Sequence, residues 1–274
     1  LSKSKDTLHV IVSDFHSGSN YALFPNHEWH GRKTSHTPRA LQVKIYKHFL
    51  KFCEVVKERR KDKRVVLVHN GDALDGDHHN SGDVCSTNSL EQADIHIELM
   101  NELQKRIGWT RGDMMYYSKG TRTHVGEFED YIARELNAQL DFERGAWEKL
   151  DIETNGVLCT FYHHGPGAGD GANEGNAMRS WLRNNFYDSL KDGSRYSDVL
   201  YTGHVHVPTY AAYTVRDGHK YKNIHGVILP SWQGKTPFSW KVASRSRNKI
   251  GGVIHEIKAD GTVCVPEFIL METE

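Results

Sequence analysis

The residues with chemical potential in this chain are Asp and His, and they recur at one kind of place. Asp14 and His16 follow an apolar run at 8–12, and Asp72 and Asp75 follow one at 65–68. His124 follows 114–118, His163 and His164 follow 157–162, and His204 and His206 follow 198–202. Short apolar runs of this kind read as buried β-strands. In open α/β sheets, ligands sit just beyond the carboxyl ends of the strands. If these strands lie parallel in one sheet, their ends converge and carboxylates meet imidazoles in one cleft. Like charges at that density call for cations between them. Mixed Asp/His ligation without Cys suits divalent Mn, Fe, Zn or Ni rather than Mg or Ca alone. The ligands suffice for two ions, and a carboxylate such as Asp72 can bridge them. Each motif taken singly has an ordinary reading as a turn or a loop. Their joint occurrence points to a site.

The intervening stretches supply what must position these residues. Thr37-Pro38 reads as a helix N-cap followed by Pro at the first helical position, opening a helix that runs to about Lys61. Its basic end, 57–64, reads as a solvated last turn that complements the helix dipole, with phosphate binding as the alternative. Ser89 with Gln92 has the form of a capping box before a helix carrying Ile97, Met100, Leu103 and Ile107. Further helices are expected at about 127–138 and 176–190. Asp217-Gly218 and Asp260-Gly261 mark two β-hairpins, 209–229 and 251–270. Strand and helix alternate first and antiparallel β closes the chain, so a single α/β domain over 1–274 is expected, with two packed sheets flanked by helices.

Composition narrows the class. The 274 residues contain 35 Lys+Arg against 35 Asp+Glu, which argues against a broadly basic nucleic-acid surface. Hydrophobic content of 38% with a mean hydropathy of −0.63 fits a chain with an adequate core. No apolar run of about 18 residues predicts a membrane span. The polar start at 1–6 has no apolar signal region. The four Cys (53, 85, 159 and 264) lack CxxC spacing and read as reduced, giving a cytoplasmic expectation with no zinc finger. The 18 His are the unusual count, since imidazole is the commonest metal-binding side chain.

The order Asp14-x-His16, Gly71-Asp72-x-x-Asp75, Gly120 to His124, a strand-end His, and Gly203-His204-x-His206 is similar to that of the calcineurin-like metallophosphoesterases. The resemblance covers roughly residues 8–210. It implies a four-layer α/β/β/α sandwich of two mixed β-sheets flanked by helices. By motif it implies that Asp14, His16 and His206 hold a first metal, that Asp72 bridges, and that His204 and the strand-end His hold a second. That His is His163 or His164; the family's ligand-x-Gly or ligand-x-Pro pattern favours His163. His124 matches the family's leaving-group acid, and Asp75 and Asn70 fall in the supporting shell. The family's Gly-Asn-His is absent: Gly120-Thr121-Arg122-Thr123-His124 has two extra residues and no Asn, with Thr121 or Thr123 as candidate substitutes. The serine/threonine protein phosphatases carry Arg-Gly after the second Asp, whereas Gly76-Asp77 follows Asp75 here. The variant also resembles phage- and prophage-encoded members, whose setting is a host cytoplasm.

The chemistry implied is hydrolysis of a phosphate ester on two divalent ions, manganese first, with Fe, Zn, Ni or Mg as alternatives. Two metals about 3.5–4 Å apart can hold a bridging hydroxide for in-line attack on phosphorus. Arg122, beside His124, and Thr121 are candidate contacts to the phosphoryl group. A phosphodiesterase or nuclease acting on nucleic acid or a nucleotide is the first expectation and a phosphomonoesterase the second. A non-catalytic metal-binding scaffold of the same fold is the third. Trp232, Phe238 and Trp240, beside Lys235, Lys241, Arg245, Arg247 and Lys249, could stack bases and hold phosphates. The competing reading makes these aromatics core and the basic loop solvated.

Overall fold

The computed structural model describes residues 5–32, 34–76, 82–142, 145–237 and 248–272, with only the backbone at Thr123. Alternation along its strands sends side chains to two opposite faces. In β1 (Thr7–Val12), Val10 and Val12 face one way and Ile11 the other. In β4 (Arg64–Asn70), Val65 and Leu67 oppose Val66 and Val68 in the same manner. All of these side chains are buried, so each face of the sheet needs its own cover.

The first sheet runs β12-β11-β1-β4-β5, with β5 at Met114–Ser118, β11 at Gly251–Ile257 and β12 at Glu267–Leu270. β1, β4 and β5 are mutually parallel, and β11 and β12 are antiparallel additions. Its outer face packs on α1 (Ala40–Arg60), α2 (Ser89–Ile107) and α4 (Phe128–Glu135), through Ile45, Phe49, Leu99, Leu103 and Ile132. Its inner face meets a second sheet, β6-β7-β8-β10-β9. There β6 is Leu150–Thr154, β7 Val157–Tyr162, β8 Val199–Thr202, β9 Thr209–Asp217 and β10 Lys220–Ile228. Ile11, Val66 and Val68 pack there on Phe161, Tyr201 and Val227. The far face of the second sheet is covered by α5 (Asn176–Asp192) through Met178, Leu182 and Phe186. The fold is thus an α/β/β/α sandwich of two mixed sheets. Burying each large apolar side chain in it contributes about 1.5–3 kcal/mol.

Several local expectations are revised. The strand ends do not come from one parallel sheet: β1, β4 and β5 belong to the first and β7 and β8 to the second. The closing hairpins also split, β9-β10 joining one sheet and β11-β12 the other. The first helix starts at Ala40, because the Gln42 side-chain oxygen accepts from Arg39 N–H (2.9 Å) and sets the cap beyond Pro38. Asn88, not Ser89, caps α2, accepting from Leu90 N–H (2.9 Å) and Glu91 N–H (3.4 Å). The helix expected at about 127–138 is α4, Phe128–Glu135, shorter at its C-terminal end, and a separate single turn, α3 (Arg122–Val125), precedes it across Gly126, whose φ is 54°. The loop after β1 contains two short paired strands, β2 (Trp29–His30) and β3 (Ser35–His36).

The basic end of α1 is tied within the molecule. Arg59 pairs with Glu267 (3.0 Å), Arg60 with Asp113 (2.7 Å) and Lys63 with Glu256 (3.3 Å). Trp232 is fully buried against Phe15, Phe49 and Phe52, so it is core and no stacking platform. Phe238, Trp240, Lys241, Arg245 and Arg247 lie outside the described residues. All four cysteines are free thiols. Among the described residues no helix is long and apolar enough to cross a membrane.

Two histidines are sealed between the sheets. His9 lies 2.9 Å from the Thr154 hydroxyl, and His255 lies 2.6 Å from the Tyr201 hydroxyl. Burial first, then mutual repulsion with His255, pushes His9 down to about 3; burial pushes His255 down to about 4. The unfolded chain therefore binds more protons than the native one as pH falls below about 6.5. The stability contributed by neutral imidazoles is complete above that pH and lost as pH falls toward the native values, by about 1.4 kcal/mol per pH unit for each group. Urea melts at pH 7, 6 and 5 should show this slope. His9→Gln should reduce it by roughly one histidine's share. An unchanged slope in the variant would refute the assignment.

Candidate metal centre

Because the two sheets pack face to face, the ends of β1, β4, β5, β7 and β8 meet although they come from different sheets. Backbone bonds lock the loops together: Asp14 N–H to Gly71 O (2.9 Å), His16 N–H to Asp72 O (3.0 Å) and Gly203 N–H to His163 O (2.9 Å). His204 N–H donates to Asp14 Oδ1 (3.1 Å), which joins β8's end to β1's. Close approach requires glycine at two of these ends. A Cβ on Gly71, whose φ is 85°, would strike the His163 ring, and one on Gly120 would strike the Asp72 backbone.

The backbone is strained where the chemistry would be. Nine non-glycine residues among those described have positive φ, and five of them are Asp14 (54°), His16 (44°), Asp72 (53°), His204 (66°) and His206 (60°). Such conformations cost about 1–3 kcal/mol each and persist where the surroundings impose them.

Asp14 and Asp72 are buried, and their ion-pair partners are histidines. His206 Nε2 is 3.0 Å from Asp14 Oδ1, and His16 Nε2 is 4.0 Å from the same oxygen. Asp72 Oδ2 lies 3.0 Å from His163 Nε2 and 3.9 Å from both His16 Nε2 and His204 Nδ1. Ligand atoms of Asp14, His16 and His206 fall within 4.8 Å of one another, as do those of His163, His164 and His204 and those of Asp14, Asp72 and His163. Metal-type groups thus lie on both sides of Asp72, where one ion each could be held.

The electrostatics show what this centre attracts. Burial alone would raise both carboxyls, but His206 and His163 hold Asp14 below the usual carboxylate range, and His163 holds Asp72 well below it. Conversely, burial opposes protonation of His163, yet the Asp14 and Asp72 carboxylates push it up to about 10. The buried carboxylates thus draw positive charge onto the imidazoles between them. Divalent cations can take that place, and the donor set fits them. Buried His163 Nε2 and His16 Nε2 face the carboxylates of Asp72 and Asp14, and an ion could take its place between them.

The outer residues are placed as follows. Asn70 O accepts from His163 Nδ1–H (2.8 Å), which presents Nε2 to Asp72, and Asn70 Nδ2 ties β4 to Tyr162 O (2.9 Å). Asp75 Oδ1 lies 3.2 Å from His16 Nδ1, and its backbone carbonyl accepts from His124 Nδ1–H (2.8 Å). The His124 ring packs on His16, centroids 5.1 Å apart. Thr121 donates to Asp72 through its N–H (2.5 Å to Oδ1) and hydroxyl (3.1 Å to Oδ2), and its hydroxyl lies 3.4 Å from His204 Nδ1. Arg122 opens α3 with its side chain exposed.

Two contributors escape the sequence reading. Glu129 is fully buried and accepts from Ala73 N–H (3.2 Å) and Gly120 N–H (2.6 Å), clamping the Asp72 loop to the Thr121 loop. Burial pushes its carboxyl up to about 8. The available signal was an acid on the face of α4 that also carries Ile132 and Ala133. Gln233 donates to Asp75 Oδ1 (3.0 Å) and to Ser19 Oγ (3.0 Å), a contact that no local pattern announces.

Searches with family models and against curated proteins give no match. Among solved structures, a Thermotoga maritima protein studied by NMR aligns over 97% of this chain and 99% of its own at 13% identity, TM-score 0.36. A metallophosphoesterase from Sphaerobacter thermophilus aligns over 97% and 89% at 10% identity, TM-score 0.36. NAD nucleotidase from Haemophilus influenzae aligns over 97% of this chain at 11% identity, TM-score 0.38, and this chain spans 50% of it. Likenesses this distant leave function to be argued from the site itself.

Proposed function

We propose that this chain is a hydrolase of phosphate esters that works with two divalent metal ions, with phosphodiesters such as those of nucleic acid as its substrates. The observation that carries this reading is Asp72 Oδ2, a buried carboxylate oxygen within 3.9 Å of ring nitrogens of His16, His163 and His204. In this reading Asp14, His16 and His206 hold the first ion and His163 and His204 the second, with Asp72 shared. When bound, the ions supply Lewis-acid charge to the phosphate oxygens and an activated water.

The chain's own residues do the rest. Asp75 and Asn70 orient His16 and His163 through their second ring nitrogens, as outer residues around metal sites do. Thr121 and Glu129 hold the Asp72 loop in place. His124, held at Nδ1 by the Asp75 carbonyl, would pass a proton to the leaving oxygen. Arg122 is the single guanidinium on segments 13–17, 71–76, 119–126, 163–167 and 203–207, and in this reading it contacts a phosphoryl oxygen. Four free thiols suit a reducing, cytoplasmic setting.

Chelation followed by dialysis should abolish hydrolysis of a bis-aryl phosphate, and Mn²⁺ should restore it. The mono-aryl phosphate should be cleaved more slowly. Full activity in excess chelator would refute metal dependence, and faster monoester cleavage would make the enzyme a phosphomonoesterase. Bound metal with no hydrolysis of either ester would favour the scaffold.

A further inference from the structure

The loop 120–124 offers no amide ligand, so His163, His204 and a shared carboxylate leave the second ion room for one more protein donor. Thr121 is poorly suited to fill the gap, because its hydroxyl already donates to Asp72 Oδ2 and lies 3.4 Å from His204 Nδ1. His124 lies on the other flank, grouped with His16 and Asp75. His164 is on the correct side. Its ring centroid is 4.5 Å from that of His204 and 4.9 Å from that of His163, at interplanar angles of 70° and 73°. One nitrogen from each of the three rings falls within a 4.8 Å span. At the floor of that group is His163 Nε2, on a side chain only 1% exposed, 3.0 Å from Asp72 Oδ2, the carboxylate oxygen that would complete the site.

We propose that His164 is the third imidazole of the second metal site, so that this site is built from His163, His164, His204 and Asp72. The proposal rests on the metal-dependent reading above and deepens it by naming the ion. Three imidazoles and one shared carboxylate make a nitrogen-rich, four-donor set, which suits zinc or cobalt. The first site, with Asp14, Asp72, His16 and His206, is richer in carboxylate and suits manganese. The two sites therefore differ in ion preference. Consecutive histidines at a strand end normally point to opposite faces; here the strand has ended at Tyr162, and both rings can reach one centre.

The test is metal content and spectroscopy on the full chain. Stripped protein is dialysed against Mn²⁺ in large excess over limiting Zn²⁺ and its metal is counted, and Co²⁺ is titrated in while its visible absorption is followed. Wild type should retain about one Zn²⁺ and one Mn²⁺, and Co²⁺ should give the intense absorption of a four-coordinate nitrogen-rich site. His164→Ala should weaken the Zn²⁺ site at least about tenfold and lose that absorption while keeping the Mn²⁺. His164→Asn, which restores an amide donor, should recover binding with less preference for zinc. If wild type binds two ions and His164→Ala matches it in affinity and spectrum, the His164 assignment is overturned and the metal-dependent reading stands. If wild type binds no divalent ion, both fall together.

Discussion

Asp72→Asn should abolish hydrolysis and strip both ions at once. Its Oδ2 lies within 3.9 Å of ring nitrogens of His16, His163 and His204, so in the proposed account its charge would serve both ions. Loss of a single transition-state donor alone costs roughly 10²–10³-fold in rate, and loss of a shared anchor should exceed that. The substitution is conservative for the fold. Asn has the same shape and tolerates the left-handed backbone that position 72 adopts, with φ at 53°. A loss of activity with an intact melting transition would therefore report on the site. Asp75→Asn is the control. Asp75 touches His16 Nδ1 and receives Gln233, so it should cost only about 10–100-fold, with most of the metal retained. Equal metal loss in the two variants would contradict this ordering.

His124→Ala should divide substrates by leaving group. An alkoxide or ribose oxygen needs a proton as its bond breaks, whereas nitrophenolate leaves readily without one. The variant should lose about 10²–10⁴-fold on a nucleotide or alkyl ester, the usual worth of a general acid, and much less on a nitrophenyl ester. Its metal content should stay near wild type, because His163 and His204 hold the second ion in this account and Asp14, His16 and His206 the first. The competing role is ligation: His124, His16 and Asp75 themselves offer donor atoms within 4.8 Å. In that case the variant would lose metal, and both substrates would slow alike. Metal content and the two rates measured on one preparation separate these roles.

What the sequence disclosed was local. The apolar runs that became β1, β4, β5, β7 and β8 are self-evident, and so is the polar residue at each end. The partition into two sheets was not, because pairing is nonlocal: β11 lies beside β1 from the far end of the chain. Convergence survives this revision because face-to-face packing brings the strand ends of both sheets together. β6 escaped notice because its alternation of buried Leu150, Ile152 and Thr154 with exposed Asp151 and Glu153 is that of a half-solvated edge strand. Glu129 and Gln233 were hidden for a different reason. Their partners are backbone amides and a carboxylate on other loops, and neither spacing nor composition records such contacts. Trp232 was legible only as one of two readings, core or stacking ring, and burial among Phe15, Phe49 and Phe52 makes it core.

The most direct test of the central claim is anomalous diffraction from crystals grown with Mn²⁺. The account predicts two peaks about 3.5–4 Å apart, one among Asp14, His16 and His206 and one beside His163 and His204, with Asp72 between them. A centre in which Asp14 and Asp72 keep their direct contacts to the histidines, with manganese absent or bound elsewhere, would contradict it.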